Sequence, residues 1–354
     1  MNSPLRVGIV GTGGVAHQHL EGYHSVLGER VKVVAACDPR HDVLSAFANQ
    51  YSIPGRYDSA SSMIDSADLD IVVMLTPPAV RDEVIYPAIA RGVNLLIEKP
   101  FATSGAKAVE YVAAAEAGGI QLAVSQNFRW FPEQQWLKRR LSASDVGALT
   151  YLEARSFQDR PQAPDQWRAA ESKLEMAIFS VHLIDRVQWI APGAPVTVSA
   201  VTRRPAESPL PGEQFTSLTV QFDDDMVANM TSSWMSKTLP VNDMRVDSVT
   251  GSAVVRRTHP MRGDAYATAK FGNDYVESEI FPELESDLNG TRSYGFSLLA
   301  FVDALEAGVS APHSGRDNLR TMGIMEAAYL SAKRGGDTVS VMEALGSVQQ
   351  LAKS

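Results

Sequence analysis

Apolar residues early in the chain fall in short, nearly unbroken runs, at 5–10, 31–36, 70–75, 93–97 and 120–124. Runs of this length that do not alternate with polar residues fit strands buried on both faces. The stretches between them, about 14–27, 40–50, 80–91 and 103–118, repeat their apolar positions at helical spacing, and Thr103 stands where the last of them needs a cap. Strand and helix alternating in this way predict an α/β domain over residues 1–126, a doubly wound parallel sheet with helices on both faces.

Beyond residue 126 the pattern changes. A helix around 130–141 is followed by runs at 149–157, 196–202, 215–222 and 227–234, several of which alternate with period two as half-wet antiparallel strands do. Asp223-Asp224-Asp225 falls between two of these runs and reads as a polar hairpin turn rather than a metal site. Helical patterns near 174–190, 296–307 and 315–334 are expected to cover one face of the sheet. Residues 127–354 thus predict a second, α+β domain with an open, mainly antiparallel sheet, and no metal is expected in the protein.

Composition narrows the partners. The 354 residues carry a net charge of −9 with a pI near 5.3. Neither nucleic acid nor an anionic membrane is expected as the main partner, since both call for a basic face. Cys37 is the single cysteine, which excludes an intramolecular disulfide and a cysteine-rich zinc site. No apolar run reaches the length of about eighteen residues that a spanning helix needs. The first strand begins within about five residues of the N-terminus, which leaves no room for a signal peptide, and the cytoplasm is the expected compartment.

Two segments carry chemistry. Gly11-Thr12-Gly13-Gly14-Val15-Ala16 follows the first strand and opens the first helix. Gly11, Gly13 and Ala16 fill the three small positions of a dinucleotide fingerprint, for the tight turn, the approach of a pyrophosphate and helix-on-strand packing. The helix behind them offers N–H groups and a positive dipole end to phosphate. Asp38 closes the second strand 22 residues after Ala16. A carboxylate there accepts hydrogen bonds from ribose hydroxyls and repels a 2′-phosphate, favouring NAD over NADP, while Arg40 is the residue that could accommodate that phosphate. The second segment, Glu98-Lys99-Pro100, ends the run at 93–97. It places a lysine at the carboxyl end of a strand, where open α/β sheets hold ligands, and a proline that stops the ladder.

With these residues assembled, the chain resembles the Gfo/Idh/MocA family, named for glucose–fructose oxidoreductase, inositol 2-dehydrogenase and their relatives. The resemblance runs nearly end to end. It takes in the glycine turn, Asp38-Pro39, Thr76-Pro77-Pro78, Glu98-Lys99-Pro100, Gln126-Asn127-Phe128-Arg129-Trp130, His182-Leu183-Ile184-Asp185 and Ala327-Ala328-Tyr329-Leu330-Ser331. It implies an N-terminal Rossmann domain, and a C-terminal open sheet through which a homo-oligomer, a dimer or tetramer, would form. It implies NAD as cofactor, and hydride transfer between nicotinamide and a carbinol of a sugar, sugar derivative or cyclitol. The catalytic residues it implies are Lys99, orienting the substrate hydroxyl, and His182. The cofactor contacts it implies are Thr76, Pro77, Glu98, Lys99 and Asn127, beside Gly11, Thr12, Gly13, Gly14, Val15, Ala16, Asp38 and Arg40. A cis peptide at Lys99–Pro100 is implied as well.

Candidate substrate contacts are Lys99, His182, Asp185, Arg129, Trp167 and Arg168. Arg155, Arg160 and Lys173 add cations that would suit a carboxylate- or phosphate-bearing sugar. His17 and His19, on the helix after the glycine turn, read as structural or near the cofactor edge. Oxidising a carbinol needs a base at the hydroxyl proton as the hydride leaves, and histidine titrates in the range that suits it. A lysine can stabilise the developing alkoxide by its charge, or act as the base when desolvated.

Two motifs depart from the family's. Ile178 and Ser180 stand where many members have Asp-x-Gly-x-His, and Arg81 ends a loop that in the family reads Thr-Pro-Asn-x-x-His. Ile178 leaves open a non-catalytic dinucleotide-binding regulator, against which the retention of Lys99 and His182 argues. A glycoside hydrolase or lyase that uses NAD for transient oxidation is a further class that nothing in the sequence separates from simple oxidation.

Overall fold

The computed structural model describes residues 3–163, 167–272, 275–282 and 288–346. The chain forms two compact units, Met1–Trp130 with Gly290–Leu319, and Phe131–Asn289 with Arg320–Ser354.

The first unit is built on six strands: β1 (Leu5–Val10), β2 (Val31–Cys37), β3 (Gly55–Tyr57), β4 (Ile71–Met74), β5 (Asn94–Glu98) and β6 (Leu122–Ser125). Their order is β3-β2-β1-β4-β5-β6, and every neighbouring pair is parallel. The connections run outward from β1 in one direction and then return beside it to β4. This reversal makes the carboxyl ends of β1 and β4 the switch point where such sheets bind ligands. Helices α1 (Gly14–Val26), α2 (His41–Gln50), α3 (Ala60–Ser66), α4 (Asp82–Arg91) and α5 (Gly105–Ala117) alternate with the strands. Ser104, not Thr103, caps α5, its Oγ accepting from the Lys107 N–H at 3.3 Å. β3 and α3, at three and seven residues, are too short to show a periodicity and went unread in the sequence.

The second unit carries α6 (Pro132–Leu141), β7 (Leu149–Phe157), α7 (Val181–Ile190), β8 (Pro195–Arg203), β9 (Phe215–Phe222), β10 (Val227–Ser233), β11 (Val241–Ser248), β12 (Gly251–Arg257), β13 (Ala265–Phe271) and β14 (Glu277–Phe281). Helices α8 (Leu288–Ala307) and α9 (Gly315–Lys333), strand β15 (Val339–Ser340) and helix α10 (Val341–Ala344) follow in the chain. The nine strands run β14-β13-β12-β11-β7-β10-β9-β8-β15, antiparallel except where β10 lies parallel to β7. β11 to β14 gave no signal in the sequence. The inward positions of β13 are Ala265, Ala267, Ala269 and Phe271, and the three alanines are too small to read as a hydrophobic stripe and weak strand formers. The three aspartates at 223–225 do form the turn between β9 and β10, with Asp225 at φ 65°. Among the described residues no cluster of three His, Cys, Asp or Glu could hold a metal.

One expectation about the helices is corrected. The pattern at 296–307 was expected to cover the second sheet, but from Gly290 onward α8 belongs to the first unit. Leu298, Phe301, Val302 and Ala304 share one core cluster with Val7, Ile9, Ala16 and Leu20. The crossing of α1 and α8 depends on Gly22 and Gly295, because a Cβ on either would run into the backbone of the other helix. In the second unit, Glu133 of α6 and Arg257 of β12 form a fully buried pair, Nη2 to Oε2 at 2.5 Å and Nε to Oε1 at 3.0 Å. Arg257 also donates to the Gly263 carbonyl at 3.0 Å and lies 4.4 Å from the Phe131 ring centre.

Candidate active site

At the carboxyl edge of the first sheet the glycine turn is shaped for a dinucleotide. Gly11 has φ +93°, and a Cβ there would lie 2.9 Å from Thr76 Cγ2, so only glycine fits the strand-to-helix turn. At Gly13 and Gly14 a Cβ would meet nothing within 4 Å. Gly13 caps α1 without a side-chain hydrogen bond, and the first turn carries no acidic residue. The helix end is therefore bare and open on the side a pyrophosphate would approach. Thr76 adds a buried hydroxyl with no hydrogen bond among the described residues. These features fit NAD.

Asp38 is buried and strongly hydrogen-bonded. The Thr12 N–H and hydroxyl donate to Oδ2 at 3.0 and 3.1 Å, and the Arg40 N–H and Nε donate to Oδ1 at 3.0 and 2.9 Å. Arg40 Nη2 adds a bond of 2.9 Å to Oδ2. Burial acts to raise the Asp38 pKa, but these donors outweigh it and bring it down to about 2, so the carboxylate is charged at any working pH. The Arg40 side chain, though paired with Asp38, is 58% exposed. NAD(H) is therefore expected to bind more tightly than NADP(H), while Arg40→Ala lowers NADP(H) affinity about tenfold and changes NAD(H) affinity less than about threefold. Fluorescence titration of both cofactors checks this, and tighter NADP(H) binding by wild type would overturn it.

Lys99 follows β5, and its peptide bond to Pro100 is cis, as expected. Glu98 beside it is buried and accepts from His19 Nε2 at 3.0 Å, while His19 Nδ1 takes the Tyr23 hydroxyl at 2.7 Å. The Tyr294 ring centre stands 4.3 Å from that of His19. Burial works to raise the Glu98 pKa, but the His19 hydrogen bond and the charges of Lys99 and Arg81 prevail and lower it. A carboxylate thus sits behind Lys99. Arg81 is fully buried, and its guanidinium donates to the carbonyls of Glu98 at 2.6 Å, Pro100 at 3.2 Å and Phe101 at 3.3 Å. The sequence places His19 as structural or near the cofactor edge and Arg81 at the end of a loop, and it gives neither the His19 bond to Glu98 nor the Arg81 bonds around Lys99. The change from the family's histidine at 81 was the signal available for the second.

Asn127 and Arg129 lie past the end of β6 and are held from within the first unit. Asn127 Nδ2 donates to Ser293 Oγ at 2.9 Å, and Arg129 pairs with Asp317 at 2.6 Å and donates to the Pro312 carbonyl at 2.9 Å. Arg129 is fully buried in these contacts.

In the second unit the helix expected over 174–190 is interrupted. Met176–Ser180 winds as a π-helical turn, and α7 begins at Val181, placing His182 in its first turn. Turns of this kind recur at functional sites. His182 is buried with the Phe179 ring at 6.4 Å, and the Arg160 guanidinium lies 5.3 Å from Phe179 and 5.0 Å from Trp234. Asp185, one turn on, is buried and accepts from the Thr321 hydroxyl at 3.1 Å. Trp167 is 45% exposed, with the Arg168 guanidinium 5.6 Å from its ring. Lys173 pairs with Glu326 at 2.9 Å and Arg155 with Asp243 at 2.7 Å.

Two buried carboxyls shape the π turn. Glu213 accepts from the N–H groups of Leu174 and Met176 at 3.1 and 2.9 Å and from the Tyr329 hydroxyl at 2.8 Å. Glu175 accepts from the hydroxyls of Ser180 and Ser232 at 2.7 and 2.6 Å. Burial pushes the Glu175 pKa from 4.5 up to about 7, Glu213 adding to the rise and the hydroxyls opposing it. The folded state therefore keeps this proton to higher pH than the unfolded chain does. Its contribution to stability is full below pH 4.5 and is lost as the pH rises through about 7. Glu175→Gln should remove a fall on the order of 3 kcal/mol over that window. Urea unfolding at pH 5 and pH 8 measures it, and an unchanged pH slope in the variant would refute the assignment.

Comparison with known proteins agrees with this geometry. Residues 5–126 match the family model described as an oxidoreductase family with an NAD-binding Rossmann fold, and residues 134–254 match the GFO/IDH/MocA C-terminal domain. The chain is 26% identical over 342 residues to a D-apiose dehydrogenase of Paraburkholderia graminis, covering 92% of this chain and 87% of that protein. It is 30% identical over 207 residues to an inositol 2-dehydrogenase of Saccharopolyspora erythraea, covering 56% and 57% of the two chains. A crystal structure of an oxidoreductase from Agrobacterium radiobacter with NAD+, L-tartaric acid and magnesium superposes with a TM-score of 0.86, covering 96% and 99% of the chains at 22% identity. An open glycine turn at the switch point, an ionised Asp38 beyond β2 and family matches over both halves together show that the chain belongs to the Gfo/Idh/MocA family of NAD-binding oxidoreductases.

Proposed function

We propose that the protein is an NAD-dependent dehydrogenase that oxidises a carbinol of a sugar, sugar derivative or cyclitol, with Lys99 and His182 handling the hydroxyl proton. The observation that carries this reading is Lys99, at the end of β5 with the ionised Glu98 behind it, on the same sheet edge as the open glycine turn. Bound NAD supplies the hydride acceptor. Lys99 orients the substrate hydroxyl and stabilises the oxygen as negative charge develops on it. His182 accepts the proton, a role that suits an imidazole near neutral pH. Trp167 and Arg168 are the substrate contacts we favour, an exposed aromatic face beside a cation. Dehydrogenases of sugars and cyclitols among the relatives support the substrate class.

We also infer a homo-oligomer formed through the open sheet, in the cytoplasm. Tyr266 and Ile280, paired across β13 and β14, are 41% and 64% exposed, an apolar pair suited to burial against a second copy. Among the described residues, no helix is long and apolar enough to cross a membrane. The deciding experiment is a screen of pyranoses, cyclitols and sugar acids for NADH formation by the wild-type protein. Reduction of NAD by at least one carbinol is expected. Silence across all three classes would overturn the proposal in favour of a dinucleotide-binding regulator.

A further inference from the structure

We infer that Arg81 is a positioning residue for Lys99, clamping the backbone on both sides of it. The inference rests on the function proposed above, in which Lys99 meets the substrate. Arg81 ends the short 3-10 turn Pro78–Val80 and opens α4, and its side chain is fully buried. Its three acceptors are the carbonyl of Glu98, before Lys99, and those of Pro100 and Phe101, after it. Pro100 and Phe101 lie beyond the end of β5, where a proline has stopped the ladder.

A guanidinium is a rigid planar fork, and donors from one such plane to carbonyls flanking a residue fix the frame from which its side chain projects. Burying that cation is costly unless it is paired and hydrogen-bonded. The nearby Glu98 carboxylate offsets part of that cost, though burial still brings the Arg81 pKa down to about 10 and Nη1 finds no partner among the described residues; Glu98 is itself held by His19 and, through His19, by Tyr23. Tyr23, His19, Glu98 and Arg81 thus connect α1 with the start of α4 around the Lys99 segment. A histidine, the residue the family carries at this place, has only two ring nitrogens and could not reach three carbonyls.

Arg81→Lys keeps the charge and loses the fork, and Arg81→Met keeps the length and loses both. In each, three quantities are measured: kcat with a carbinol substrate, the Kd of NAD by fluorescence, and hydrogen exchange of the amides at 99 and 101–103. Arg81→Met is expected to lower kcat about tenfold or more, with the NAD Kd within about threefold of wild type. Exchange at 99–103 should accelerate about tenfold or more while β4 keeps its protection. Arg81→Lys should recover part of both losses. Wild-type kcat and exchange in a folded Arg81→Met protein would overturn the inference. So would a loss of NAD binding in step with turnover, which would make Arg81 a support of the nucleotide domain at large. If Arg81→Met gives no cooperative melt, Arg81→Lys decides by the same readouts. If wild type oxidises no carbinol, the proposed function fails by itself, and exchange at 99–103 still decides the clamp: acceleration upholds it and no change overturns it.

Discussion

Lys99→Ala is expected to lower turnover about a hundredfold or more while NAD still binds, the size that follows from removing one electrostatic or acid–base partner at the reacting oxygen. The structure makes this a separable effect. The glycine turn is shaped by Gly11, Gly13 and Gly14, and Asp38 is held by Thr12 and Arg40, all on the first two strand ends rather than at the end of β5. Lys99 contributes charge to the ionised Glu98, but the His19 hydrogen bond to Glu98 and the Arg81 bonds to backbone carbonyls are made by other groups. His182→Ala is expected to lose turnover to a similar extent, and to flatten the limb of the pH–rate profile that reports the base. Steady-state kinetics beside cofactor titration on the same preparations would test both. Near-normal turnover in His182→Ala would transfer the proton to Lys99 alone, and near-normal turnover in Lys99→Ala would remove Lys99 from the chemistry altogether.

The second large effect concerns stability. Arg257→Met removes the cation that is hydrogen-bonded to the buried Glu133 carboxylate and leaves only the more loosely coupled Arg186 near it, and a broken buried pair of this kind costs about 3–5 kcal/mol. Both side chains are inaccessible to water, so solvent cannot repay the loss. The pair spans α6 and β12, far apart in sequence, so its rupture should loosen the packing of α6 on β12 and β13. The double variant Glu133→Leu/Arg257→Met should regain much of the stability, because apolar residues of similar volume often replace a buried pair at little cost. Urea unfolding of the three variants provides the measurement. A single-variant loss below about 1 kcal/mol would show that water or a neighbouring group reaches the orphaned charge.

Local patterns determined much of this protein before any tertiary contact was considered. Unbroken apolar runs marked five of the six parallel strands, because burial on both faces removes the need for polar alternation. Gly11 and Asp38 were legible because turn geometry and hydrogen-bond chemistry restrict residue type at single positions. The same holds for the aspartates at 223–225, where a hairpin calls for short polar side chains. Lys99 and His182 were singled out through the family resemblance, since one residue type at one place carries no pattern of its own.

Other features were decided only when distant parts of the chain met. Residues 296–307 have the period of a helix on any sheet, and the close crossing permitted by Gly22 and Gly295 placed α8 on the first. The alanines of β13 show no hydrophobic stripe, and pairing with β12 and β14 makes them a strand. The π turn at Met176–Ser180 accompanies two buried carboxyls, one of which, Glu213, lies far along the chain from the N–H groups it binds. In the sequence Arg81 only ends a loop where the family has histidine, and carbonyls seventeen to twenty residues away close around it in the fold. Periodicity and turn chemistry act over a few neighbouring residues and so are written in the sequence, whereas helix seating, buried charge and the frame around Lys99 depend on which surfaces fit one another in space.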